Sequence, residues 1–164
     1  MYGDLKRLED QIVAGDGAGE NIEGLLHTTG LSDTAFDAGV PLGELLLSGA
    51  VDTILSNATP SAVIVNPSDW RAVITEKSTG DGQYLRAQDL IQQPVIQSAA
   101  LPAGIALVGD FNQAQVLVRE GVNVRVSDSD QDDFVRGQVT LLAEGRFAFV
   151  VWDTTAFAVV HLAA

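Results

Sequence analysis

Apolar residues open the chain at helical spacing: Tyr2, Leu5, Leu8 and Ile12 recur every three or four positions, which puts them on one face of an α-helix. The pattern is already under way at Met1, with no capping residue before it, so the sequence predicts an N-terminally truncated chain, cut from something longer. The helix runs into "GDGAGENIEGLL", residues 15–26, where four glycines and three carboxylates share twelve positions. Residues 27–40 are small, polar and aperiodic, and read as a loop. Pro41 then opens the most apolar helix of the chain, with Leu42, Leu45, Leu46, Val51, Ile54 and Leu55 assigned to its inward face. Gly43 and Gly49 are expected to weaken that helix by up to about 1 kcal/mol each relative to Ala.

Residues 62–65, Ala-Val-Ile-Val, read as a short buried strand, and a well-marked helix follows to about residue 77. Asn66 suits its N-cap, Pro67 its first helical position and Asp69 the positive end of its dipole; Trp70, Val73 and Ile74 form the predicted inward stripe. "STGDGQYL", residues 78–85, is a turn by composition, and the segment from Leu101 to Gly104 separates two short apolar runs. From Gln115 the period changes to two: Val116 and Val118, then Val122, Val124 and Val126, alternate with polar residues. Glu120-Gly121 is the predicted hairpin turn. After the acidic "DSDQDD", residues 128–133, residues 135–151 read as strand, break at Glu144-Gly145, strand, and "AFAVVHLA" closes the chain as another strand. A helix and loop, a mixed centre and a strand-rich end make the fold class α+β.

Composition narrows the partners. A chain of 164 residues is one domain or two small subdomains with a true core, and 46% hydrophobic with only 6% aromatic residues means a core of Val, Leu, Ile and Ala. The 22 Asp and Glu against 9 Lys and Arg give a net charge of −13, which argues against an electrostatic DNA-binder. Having no cysteine, the chain has no disulfide framework, thiolate metal site or cysteine nucleophile. There is no basic-then-apolar leader and no apolar run near the ~18 residues of a membrane span, so the expectation is a soluble, unexported protein without a membrane partner.

The chemical candidates fail one by one. A phosphate cradle needs N–H groups at a helix N-terminus, whereas the glycines of residues 15–26 follow a helix and Asp16, Glu20 and Glu23 repel an anion. A calcium loop needs Gly at its sixth and Glu at its twelfth position; counted from Asp16 the twelfth is His27, and from Asp128 the sixth is Asp133 and the twelfth Val139. The acidic run therefore reads as a solvated turn. His27 and His161 are not metal-spaced and read as structural, and no G-x-S-x-G elbow anchors a hydrolase. Burial of Glu144 between apolar strands would raise its pKa and make it a base; the plainer reading is an exposed strand connection with Arg146 as its ion-pair partner. No catalytic, cofactor-binding or metal-ligating residue is assigned. Gly15 and Gly17 are expected to supply the positive φ angles that stop the first helix and reverse the chain, with Asp16 and Asn21 suited to the turn.

The order of segments says more than any single motif. "GDGAGENIEGLL" after a helix, then "AVIVNPSDWRAV", "DGQYL", "LPAGIALVGDF", "FVRGQVTLLAEGRFAFVV" and "DTTAFAVV" resemble, at matching intervals over nearly the whole chain, the major capsid proteins of tailed bacteriophages with their Hong-Kong-97-type fold. The resemblance implies a non-enzymatic structural protein of a phage or prophage virion, made in the bacterial cytoplasm and self-associating into pentamers and hexamers around the genome. It implies an end of the peripheral domain's long helix plus glycine turn in residues 1–27, an axial domain in 28–114, peripheral strands in 115–151 and a return to the axial domain in 152–164. The implied partners are copies of itself as capsomer neighbours, with scaffold, portal or decoration proteins, no cofactor and no specific nucleic-acid binding.

The departures from the family pattern matter as well. The family's N-terminal arm, extended loop and first half of the long helix have no counterpart in this sequence, which implies poor assembly, into small oligomers. Some members join a lysine of the extended loop to an asparagine, with a glutamate seven residues further on as base; the matching positions here are Gly137 and Glu144. With the acceptor amide missing, self-cross-linking is not expected. An encapsulin-like compartment shell is the alternative on the same architecture, and a small hydrolase or esterase the distant one.

Overall fold

The computed structural model describes residues 2–19, 21–78, 82–85, 87–127, 133–137 and 139–163. In chain order its elements are α1 (Tyr2–Ala14), a 3-10 turn (Leu25–His27), β1 (Ser32–Thr34), α2 (Leu42–Leu55), β2 (Ala62–Val65), α3 (Pro67–Thr75) and α4 (Ala87–Leu90). There follow β3 (Val95–Gln97), β4 (Ile105–Gly109), a 3-10 turn (Phe111–Gln113), β5 (Ala114–Ser127), α5 (Asp133–Arg136), β6 (Thr140–Val151), a 3-10 turn (Thr154–Ala156) and β7 (Phe157–His161). Five strands form a mixed sheet in the order β1-β7-β4-β2-β3, and β5 and β6 pair separately as an antiparallel ribbon. The α+β class is thus realised as a helix-covered sheet plus a projecting ribbon.

The β2–α3 unit forms as its sequence predicts, and its capping groups do more than cap. Asn66 Oδ1 accepts from the Ser68 N–H at 3.0 Å while its Nδ2 donates to the Leu101 carbonyl at 2.7 Å. Asp69, in the first turn of α3, accepts from the Gly104 N–H at 2.7 Å. Both side chains therefore bolt the turn at 101–104 to the start of the helix. Val73 is fully buried and Trp70 packs on the same core, but Ile74 is exposed. It stands about 100° round the helix from Val73, past the edge of the contact.

The inward face of α2 is not the one its large side chains mark. Gly43, Leu45, Leu46, Gly49, Ala50 and Thr53 are buried, whereas Val51, Ile54 and Leu55 are 45%, 55% and 75% exposed. The reason is the distance of the helix from the sheet: a Cβ on Gly49 would collide with Val160 Cγ2 of β7 and touch Val108 Cγ2 of β4 at 3.5 Å. The glycine expected to weaken the helix is what lets it settle on the strands. Pro41 is the N-cap residue and offers no side-chain bond, so the helix start is completed from elsewhere, the Leu42 N–H donating to Glu76 Oε2 at 2.8 Å.

β7 is an interior strand of the sheet, antiparallel to β4 on one side and parallel to the edge strand β1 on the other. The loop read at 27–40 contains β1, because a three-residue edge strand shows no period of its own and exists only through its register with Ala158 to Val160. One core lies between sheet and helices α2, α3 and α4, built on Leu46, Val63, Val65, Val73, Val108 and Val160. The second lies on the other face around Val13, Leu25, Leu101, Leu107 and Phe157, with Phe149 and Val151 of β6 packed against it. There Phe111 meets Phe157 edge to face, centroids 5.4 Å apart. Helix α1 is tied in by Val13 and by the Ser98 hydroxyl, which donates to Glu9 Oε1 at 3.1 Å. The side chains of Tyr2 and Leu5, half of the stripe read for this helix, lie outside the described residues.

The two breaks read within the strand-rich end do not exist. β5 runs unbroken through Glu120-Gly121 and β6 through Glu144-Gly145, so neither pair is a turn. The register instead slips twice, between Val118 and Glu120 and between Glu120 and Asn123, the mark of bulges that absorb extra residues in one strand. Gly145 stands opposite this region because a Cβ there would lie 2.6 Å from the Phe147 ring. Glycine in a bulged strand looks, in sequence, like glycine in a turn. The acidic run at 128–132 lies outside the described residues, and Asp133 begins α5.

Replacing Gly49 with Ala separates helix propensity from packing. Propensity alone predicts a gain of up to about 1 kcal/mol; the collision with Val160 predicts a loss of about 1–3 kcal/mol. Urea denaturation of Gly49→Ala should show the loss, and a raised midpoint would refute the close-approach argument.

Candidate assembly surfaces

The structure places the sequence's candidate residues apart from one another. His27 ends a surface 3-10 turn, while His161, at the end of β7, lies 2.9 Å from Asp33 of β1, Nε2 to Oδ1. Glu144 is an exposed mid-strand residue opposite Asn123, not a strand connection. Arg146 is not its partner: the guanidinium Nε faces Glu120 Oε2 at 3.7 Å, across the first register slip. Such an exposed pair contributes little. Gly137 follows α5 with a left-handed φ of +65° and open space around its Cα. Among the described residues, no group of three or more His, Cys, Asp or Glu is arranged to hold a metal ion, and no helix is long and apolar enough to cross a membrane.

The glycine-rich stretch after α1 is a turn held by its own backbone bonds. The Gly15 N–H closes the helix on the Gln11 carbonyl at 2.9 Å, and the Gly24 N–H returns to the Gly15 carbonyl at 2.9 Å. The left-handed positions are Gly17 and Gly19, at φ +65° and +64°; Gly15 is not one of them. Gly15 is required for another reason, since a Cβ on it would collide with the Ile22 carbonyl. Gly24 is its counterpart, where a Cβ would stand 2.5 Å from the Gly15 nitrogen. Asp16 Oδ1 accepts from the Ala18 N–H at 3.1 Å and from Asn21 Nδ2 at 3.0 Å. The Ala18 N–H and the Asn21 amide are thereby used inside the loop.

What the described surface offers instead is apolar area. Leu47, Val51, Ile54 and Leu55 form an exposed stripe along α2. On the ribbon, Val118, Val124, Val126, Leu141 and Leu142 are exposed to between 49% and 69%. Alternation in period two was legible for β5, but the exposure of these side chains was not, because among the described residues no second layer covers them. Surface of this kind marks contact with other chains.

The sequence profile of the phage capsid family matches residues 5–162. The chain belongs to the phage capsid family. It is 32% identical to the major capsid protein of Enterobacteria phage HK97, an alignment that takes in 95% of this chain and 43% of that protein. The chain therefore spans less than half the length of this relative. Among solved structures, the capsid of an empty GTA particle computed with C5 symmetry superposes with a TM-score of 0.77 at 19% identity, covering 99% of this chain and 62% of that one. The encapsulin of the holo-SrpI complex from Synechococcus elongatus PCC 7942 superposes with a TM-score of 0.63 at 17% identity, covering 96% and 61%. At these identities the structures establish a shared fold, the capsid fold expected from the order of segments.

The turn itself makes a pH prediction. Hydrogen bonds from the Asn21 amide and then the Ala18 N–H hold the exposed Asp16 carboxyl below its ordinary value of 3.8. A folded pKa below the unfolded one gives stabilisation that is fully present above about pH 4 and lost as pH falls through the folded value. Carboxyl-carbon NMR should place the Asp16 midpoint below 3.8, and Asn21→Ala should raise it; an unmoved midpoint in the variant would show that the amide does not set it.

Proposed function

We propose that the chain is a structural subunit of a phage or prophage capsid, associating with copies of itself into pentamers and hexamers that enclose a genome. The family match over residues 5–162 carries this reading, because it runs through both the helix-covered sheet and the ribbon. In this reading residues 28–114 and 152–164 serve as the axial domain, supported by the place of β7 among β1, β4, β2 and β3. Residues 1–27 and the strands within 115–151 serve as the peripheral domain. The subunit performs no chemistry of its own, and its contacts are non-covalent, since Gly137 has no side-chain amide to cross-link.

A net charge of −13 suits a wall that does not hold the packaged DNA. Scaffold, portal and decoration proteins are further proposed partners, and the virion the proposed location. An enzyme-holding compartment is the second reading; it rests on the fold alone, whereas the sequence relationship is to a phage capsid protein.

Light scattering coupled to size-exclusion chromatography should find this chain as rings of five or six subunits or their fragments. A strict monomer at every attainable concentration would sink the assembly claim for this chain. Where larger particles form, nuclease-sensitive content supports the capsid, and a co-purifying enzyme supports the compartment.

A further inference from the structure

Two apolar surfaces lie on opposite faces of the five-stranded sheet. The first is convex: Leu47, Val51, Ile54 and Leu55 recur at i, i+4, i+7 and i+8 along the outer side of α2 and are 37%, 45%, 55% and 75% exposed. The second is an open groove of mixed lining, in which Leu26, Leu31, Ile105 and Val159 make an apolar floor bordered by polar residues, Thr28, Asp33 and His161 among them. Strand alternation puts the two on opposite sides. Val108 and Val160 meet α2 at Gly49, so Ile105 and Val159 point the other way.

Charge decides between the ways two copies can use these surfaces. No Lys or Arg occurs between Arg7 and Arg71, so the α2 stripe comes from a stretch without a permanent positive charge, and the groove lining includes no Lys or Arg either. Glu44 and Asp52 flank the stripe on α2. An isologous contact of α2 on α2 would set these carboxylates against their own copies. The titratable groups lining the groove are Asp33 and His161, already paired with each other at 2.9 Å. The groove therefore offers apolar contact with less repulsion.

We propose that the α2 stripe of one subunit seats in the Leu26–Val159 groove of the next copy, with Leu55 as the leading side chain. The identity of the partner as a second copy rests on the capsid-subunit reading above. A ridge on one face and a groove on the opposite face make a heterologous contact, which repeats in one rotational sense and forms a ring where the rotation closes. The contact thus supplies the side-by-side step around a capsomer axis.

The absence of cysteine makes the test direct. Thr28→Cys at the groove and Leu55→Cys on the stripe are combined in the full chain and oxidised under non-denaturing conditions. The expected result is a ladder of disulfide-linked multimers from the double variant and none from either single variant, with the circular dichroism of the parent retained. Leu55→Glu, at a site 75% exposed, should fold normally and weaken association roughly tenfold or more. Dimers from Leu55→Cys alone, in a yield equal to the double variant's products, would overturn the proposal in favour of α2 on α2. Oligomers by light scattering without any ladder would overturn the proposal and leave the subunit reading standing. A monomer throughout would overturn both.

Discussion

The fold depends on how closely β7 is approached from every side. Its edges are hydrogen-bonded to β1 and β4, and both its faces meet glycine. On the helix side Val160 occupies the space a side chain on Gly49 would need; on the other, a Cβ on Gly109 would collide with the Phe157 ring. Ala156, Phe157, Ala158 and Val160 are consequently fully buried. β7 lies inside the sheet, between β1 and β4. β1 is thereby joined to the rest of the sheet only through a strand more than a hundred residues further along the chain.

The same strand fixes the direction of the ribbon. Two 3-10 turns stand side by side at its base, Phe111–Gln113 leading into β5 and Thr154–Ala156 leading from β6 into β7. Each is capped by an aspartate: Asp110 accepts from the Asn112 N–H at 3.1 Å and Asp153 from the Thr155 N–H at 3.0 Å. The Asp110 N–H to Ala156 carbonyl and Trp152 N–H to Gln113 carbonyl bonds, 3.0 and 2.8 Å, lock the turns together. Beyond this base β5 and β6 pair for 14 and 12 residues, although two strands alone are marginal in water. Helix α1 reaches the ribbon at a cleft lined by Leu8 and Gln11 on one side and Val122, Ala143 and Phe147 on the other. The outer half carries exposed valines and leucines, which the proposed assembly would cover with neighbouring copies.

This arrangement gives the molecule's most conspicuous motif a structural use. The loop after α1 must turn the chain from the ribbon side back to the sheet within ten residues, from Gly15 to Gly24, and its two end glycines pack against each other. Its carboxylate, Asp16, is consumed by internal donors. A shell subunit of the kind proposed here needs such a joint more than it needs a pocket.

The sequence by itself determined whatever depends on neighbours a few residues apart: the Asn66–Pro67 start of α3, the apolar runs of β2, β4 and β7 and, through the order of its segments, the family. Only the tertiary structure decided which face of α2 is inside, that Glu120-Gly121 and Glu144-Gly145 are bulge and strand instead of turns, and that residues 32–34 form a strand. In each of these cases the deciding partner is distant in the chain. Gly49 answers to Val160, Glu120 to Arg146 and Ser32 to Ala158. A glycine has the same local signature whether it frees a turn, admits a bulge or makes room for a neighbouring strand; the atom it avoids is set by packing, and packing is not written in any local window.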